Sequence, residues 1–160
     1  MTNSNALYIV RKSNKEVSDL LQKADMDLVF SDVNSYKKLD YIACWFYKGA
    51  KYIQNSNTKL AFVTTNSITQ GEQVGILWNE LLKKYNIKIH FAHKTFKWSN
   101  EAKGNAAVYC VIIGFANFET SFKRIFEYED IKGEAHEIKA KNINPYLIDA
   151  KDFLIEKRRK

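Results

Sequence analysis

The chain has 160 residues and carries 25 Lys and Arg against 18 Asp and Glu, a formal net charge of +7. Hydrophobic residues make up 46% and charged residues 27%, which excludes a disordered or low-complexity chain and fits one domain over 1–160. Residues 1–6 lack an apolar signal core and no apolar run reaches the length of a membrane span, so a cytoplasmic setting without membrane attachment is expected.

In chain order, 7–10 is a short apolar stretch, a strand stub or part of a loop. Over 14–30 the spacing of Val17, Leu20, Leu21, Ala24 and Leu28 predicts a helix with these residues on its core face, and Ser13 can cap it. A second helix is expected over 37–54, with Leu39, Ile42, Ala43, Phe46, Ala50 and Ile53 on one stripe. The run 59–64 reads as a buried strand. A third helix is expected over 71–85, through Val74, Leu77, Trp78, Leu81, Leu82 and Tyr85. Residues 87–92 alternate apolar with polar and read as a strand, and 106–115 is apolar enough for a central strand. Between them, 94–105 reads as a basic, aromatic loop, long enough to be functional. A further strand is expected over 123–128, after which the pattern is ambiguous; 142–160 reads as the start of a following segment or a tail. Strand–helix–strand implies a crossover and parallel pairing of 59–64 with 87–92, and the next strand adds an antiparallel hairpin. The fold class is therefore α/β.

The aromatic content is high, with ten Phe, nine Tyr and three Trp, and together with the basic balance it favours an acidic partner, nucleic acid first. Cys44 and Cys110 each sit in an apolar run and read as buried thiols rather than a disulfide or ligand pair. His90 and His93 lack a third ligand at metal spacing, so no metal site is expected. Asp25, Asp27 and Asp32 read as a solvated helix face.

Thr65 and Asn66 follow a strand that should end at the ligand side of an open α/β sheet, where polar side chains line a pocket; the same residues also suit a cap for the next helix. In 94–103, Lys94, Lys97 and Lys103 alternate with Phe96 and Trp98. Lysines meet phosphates and aromatic faces stack on exposed bases, although aromatics also fold back onto a core.

Three stretches carry a resemblance when taken together: Leu-Asp-Tyr-Ile-Ala-Cys-Trp-Phe at 39–46, Phe-Val-Thr-Thr-Asn-Ser-Ile-Thr-Gln-Gly-Glu-Gln at 62–73, and 90–115 with Phe-Lys-Trp at 96–98. Asn-Ile-Asn-Pro-Tyr-Leu at 142–147 adds a fourth. In this order and spacing the chain resembles the adenine-N6 methyltransferase domain of single-chain restriction–modification enzymes of types IIG and IIL, over roughly residues 5–156. The resemblance implies a partial Rossmann-like methyltransferase sheet, with parallel strands, a reversed antiparallel hairpin at its C-terminal end and flanking helices. It implies S-adenosylmethionine as methyl donor and double-stranded DNA as partner, with the target adenine flipped out of the stack. Phe96, then Trp98, matches the aromatic that packs on the flipped base, with Thr65 and Asn66 beside it and Lys94, Lys97 and Lys103 toward DNA.

The family's catalytic Asn/Asp-Pro-Pro-aromatic motif falls on Asn5–Ala6–Leu7–Tyr8. Asn5 and Tyr8 match in kind, but both prolines that would fix the backbone are replaced. The six glycines form no Gly-rich donor-binding turn. The expectation is a fragment of a methyltransferase carrying the base side of the site, inactive alone and binding no donor. Two alternatives stand beside it: a DNA-binding module without chemistry, and one subunit of a split enzyme. A sheet lacking its other half would leave 59–64 as an open edge, so a homo-oligomer or a partner chain with the missing half is expected.

Overall fold

The computed structural model describes residues 15–98, 108–131 and 133–155. Helix α1 (Lys15–Val29) forms where the periodicity predicts it, but the opposite face meets the core. Leu20, Leu21 and Leu28 are 65%, 60% and 78% exposed, while Ser18 and the following Phe30 are buried. Phe30 fixes this orientation. It closes the helix through its N–H to the Met26 carbonyl and packs on Tyr36 and Tyr47. Asp27 and Asp32 are exposed and Asp25 partly so, as a solvated face requires, but all three also have tyrosine partners. Asp25, Asp27 and Asp32 accept hydrogen bonds from the hydroxyls of Tyr41, Tyr36 and Tyr47.

The helix expected over 37–54 is shorter at its start. A 3-10 turn (Tyr36–Lys38) is followed by an extended Leu39, and α2 (Ala43–Tyr52) begins only after Asp40. The break has a cause. The backbone N–H of Asp40 donates to Gln73 Oε1, an interaction that a continuous helix would have used internally. Beyond the break the predicted stripe holds, with Ala43, Phe46, Ala50 and Ile53 all fully buried. At Gly49 an added Cβ would lie 3.0 Å from Leu60 Cδ1, so glycine lets α2 sit directly on the first strand.

The strands are β1 (Leu60–Thr65), β2 (Lys88–Trp98), β3 (Val108–Ala116), β4 (Lys123–Tyr128) and β5 (Ala135–Ala140). Between β1 and β2 the chain makes a 3-10 turn (Asn66–Thr69), α3 (Gly71–Gln73), a π-helical stretch (Val74–Trp78) and α4 (Asn79–Lys83). Val74, Leu77, Trp78, Leu81 and Tyr85 are buried, as the spacing predicts.

The sheet order is β1-β3-β2-β4-β5. This is the mixed α/β sheet with a reversed hairpin that the resemblance implies, with one correction in pairing. β1 and β2 are not neighbours. β3 folds back between them and runs antiparallel to both, and the parallel pair is β2 with β4. A hairpin leaving β2 must return on one of its sides. The side toward β1 lets Ile113 and Phe115 join the core under α2. β1 ends the sheet among the described residues, as the open edge expected for it. β5, missed in the sequence, is the other edge: five of its six residues are exposed, so it shows no buried face to read.

Among the described residues the helices cover one face only. Phe46 of α2 meets Phe62 of β1, Phe115 of β3 and Trp78 at ring separations of 5.1, 5.7 and 6.0 Å. Ile143 and Leu147 from the segment after β5 are buried in the same cluster. On the opposite face, Val63, Ile112, Phe91 and Phe126 remain partly or largely exposed.

Candidate functional site

The expected loop over 94–105 begins later than its composition suggests, because β2 continues through Lys94, Thr95, Phe96, Lys97 and Trp98. Two single-residue bulges make this long strand workable. Its register on β3 slips between Ile89 and Phe91 and again between His93 and Phe96. A bulge changes which residues share a face. The result is that Phe91, His93, Phe96 and Trp98 all take register positions on the open face, opposite Gly114, Ile112, Cys110 and Val108.

Thr65 pairs with Cys110, and Cys110 pairs with Phe96. Thr65 and Phe96 therefore share one row and one face, two strand spacings or roughly 10 Å apart, at the carboxyl ends of β1 and β2. The structure thus brings the two predicted base-side segments together. Phe96 is half-buried. Its ring lies 5.4 Å from Tyr128, 6.3 Å from Trp98 and 6.5 Å from His93. Behind it, His93 stacks on Phe126 at 4.3 Å and shares a 2.7 Å hydrogen bond with the Tyr128 hydroxyl. Burial pushes His93 down and Tyr128 up, so both are neutral near pH 7. Trp98, 51% exposed, stands at the rim.

The turn after β1 is held from three directions. Thr65 Oγ1 donates to Ser67 Oγ at 2.9 Å, and Ser67 Oγ donates to Asp40 Oδ2 at 2.7 Å. Gln73 Nε2 donates to the same carboxylate at 3.0 Å. Trp78 Nε1 donates to the Ile68 carbonyl at 2.9 Å, and Thr69 Oγ1 to the Asn66 carbonyl at 2.9 Å. This explains why the 39–46 and 62–73 stretches occur together: Asp40 of one ties Ser67 and Gln73 of the other. Asp40 and Gln73 were not among the predicted site residues. Their chemistry is positional and becomes visible only when the two stretches touch. No side-chain cap bond starts the turn or α3, so the alternative reading of Thr65 and Asn66 as a cap is not realised. The Asn66 side chain makes no hydrogen bond to a described residue.

A cavity of about 500 Å³ opens beside this end, lined by Thr69, Gln70, Lys94, Glu127, Tyr128 and Tyr146 among others. Lys94 is ion-paired with Glu127 across the β2–β4 junction, which engages its charge locally. The Lys97 N–H donates to the Ile131 carbonyl at 2.8 Å and its side chain is half-buried. Asn5, Tyr8 and Lys103 lie outside the described residues. The cysteines are free and buried as expected, and burial raises Cys44 to about 11.

The described residues do not fit a methyl-donor site. Asp40 and Glu127, two carboxylates near this end, are both engaged, by Ser67 and Gln73 and by Lys94. No Gly-rich turn stands beside them.

Residues 5–127 match the family described as MmeI, DNA-methyltransferase domain. The chain belongs to this family. It is 48% identical over 150 residues to DNA methyltransferase A of Bacillus subtilis (strain 168), a match covering 94% of this chain and 16% of that protein. It superimposes with a TM-score of 0.82 on the type IIL restriction–modification enzyme MmeI, solved in complex with DNA. That match is 56% identical and covers 87% of this chain and 19% of MmeI. The chain thus spans less than a fifth of the length of either relative. Family and fold agree with the resemblance in the sequence.

Proposed function

We propose that this chain supplies the target-base side of an S-adenosylmethionine-dependent DNA adenine-N6 methyltransferase and performs no methyl transfer unaided. The observation that carries the reading is the Thr65–Cys110–Phe96 row at the carboxyl ends of β1 and β2, where ligands sit in open α/β sheets. Phe96 stacks on the flipped adenine, Trp98 guards the rim, and Asn66 and Thr65 face the base edge. Lys97, Lys103 and, when released from Glu127, Lys94 meet phosphates of double-stranded DNA. Asn5 and Tyr8 occupy the catalytic positions, without the two prolines that would hold a carbonyl on the adenine amine. The donor is bound elsewhere: the six glycines form no donor-binding turn, and among the described residues Asp40 and Glu127 are engaged by other side chains.

A split arrangement is the second reading, favoured by the open edge of β1. A second copy, or a chain bringing the donor-binding half, would pair there. No helix among the described residues is long and apolar enough to cross a membrane, and the proposed setting is the cytoplasm.

The test uses fluorescence anisotropy with a matched duplex and one carrying a mismatched adenine, which costs less to extrude. The chain is expected to prefer the mismatch, and Phe96→Ala should reduce that preference about tenfold, the value of one stacked base. Equal affinity for both duplexes, or an unchanged preference in Phe96→Ala, would overturn the assignment.

A further inference from the structure

A second cavity, of about 530 Å³, lies beyond His93 from Phe96, toward the starts of β2 and β4. Lys59 precedes β1, Phe91 and Arg124 pair near the starts of β2 and β4, and Phe122 immediately precedes β4. Together with Phe126 and His93 these residues line it on the open face.

Its chemistry is aromatic and cationic. Phe91 lies flat over Gly114, where an added Cβ would come within 2.0 Å of the ring, so glycine here creates the aromatic floor. Phe122, another lining residue, is 80% exposed and so open to a ligand ring. Lys59 and Arg124 supply the charge, and no carboxylate is among the described lining residues. Glu119 is held by Lys123 at 2.8 Å, and Glu137 faces Arg124 at 3.6 Å, too long for a good hydrogen bond, so the guanidinium keeps free donors. Burial keeps His90 and His93 neutral, and both are committed, to the Phe118 carbonyl and the Tyr128 hydroxyl.

We propose that this cavity binds an unpaired nucleotide, its base against Phe91 and Phe122 and its phosphate met by Lys59 and Arg124. Aromatic faces with flanking cations take any base by stacking and any phosphate by charge, which is the pattern of sequence-tolerant nucleotide sites. The same chemistry is offered by a free mononucleotide and by an unpaired residue of a DNA strand. The cavity adjoins the Phe96 end through His93 and Phe126.

Isothermal titration calorimetry on the full chain decides it, with adenosine 5′-monophosphate in one arm and a short single-stranded DNA oligonucleotide in the other. Saturable binding in the first arm identifies the free nucleotide as ligand; binding in the second alone identifies the strand. In either case Phe122→Ala and Arg124→Glu should each weaken binding about tenfold. Both substituted residues are exposed, so circular dichroism should report an intact fold. Absence of saturable binding in both arms overturns the proposal. So does affinity within about twofold of the parent in both variants, or loss only in Phe96→Ala, which would place the nucleotide at the Phe96 end.

Discussion

Replacing Trp78 by phenylalanine tests how the turn behind the candidate site is held. Trp78 is fully buried, and its Nε1 donates at 2.9 Å to the carbonyl of Ile68, itself fully buried. Phenylalanine keeps the ring and removes the donor. The Ile68 carbonyl then lies in a dry interior without this partner, a cost of about 1–3 kcal/mol. The smaller ring leaves a gap against Phe46 worth about 1 kcal/mol more. Urea unfolding should therefore show a loss of about 2–4 kcal/mol with an unchanged m-value. Hydrogen exchange should speed up at residues 66–69 before it does in α4, because the lost bond anchors the turn and not the helix. A loss below about 0.5 kcal/mol, or exchange that rises equally in both segments, would refute the idea that this bond fixes the turn.

Gly114→Ala should force the Phe91 ring off β3, at a cost of about 1–3 kcal/mol. Adding Phe91→Ala should recover part of that cost, so a double-mutant cycle by urea unfolding should return a non-zero coupling. His90 sits below its ordinary value of 6.5, chiefly through burial, and His93 is lowered by the same cause. The unfolded chain therefore binds more protons than the folded one as pH falls through 6.5, so stability is full above that pH and drops below it. Melting temperature measured from pH 8 to 5 should fall toward acid, and His90→Gln should flatten the fall; an unchanged slope would contradict it. Cys44, raised to about 11 by burial, and Cys110, raised by the same cause, should resist a thiol reagent at pH 8 and react only in denaturant.

The helices and strands that bury one clear stripe were legible in the sequence, and those whose roles depend on neighbours were not. The stripe Ala43, Phe46, Ala50 and Ile53 and the apolar 108–116 strand have one way to be satisfied. In α1 the spacing of Leu20, Leu21 and Leu28 signals a helix, but which face meets the core is decided by Phe30 and the tyrosines that reach the aspartates. That information is tertiary. The break before α2 depends on Gln73, thirty-three residues away from Asp40 in the chain. The bulges in β2 defeat a reading by alternation, so 94–98 looked like loop when it was strand. Thr65 and Phe96 were found from motif chemistry, and their common row followed only from the insertion of β3. Spacing marks His93 as a strand-surface or supporting residue, whereas Tyr128, which backs Phe96 with it, carried no sequence signal beyond its residue type.

The central claim is that this chain holds the base side of a methyltransferase site and lacks the donor side. Its most direct test is transfer of a labelled methyl group from S-adenosylmethionine to duplex DNA by the purified chain alone. The account predicts no incorporation above the protein-free background on a mismatched duplex that the chain binds. Sustained incorporation by the chain alone, lost in Phe96→Ala, would contradict it and place a working donor site within these 160 residues.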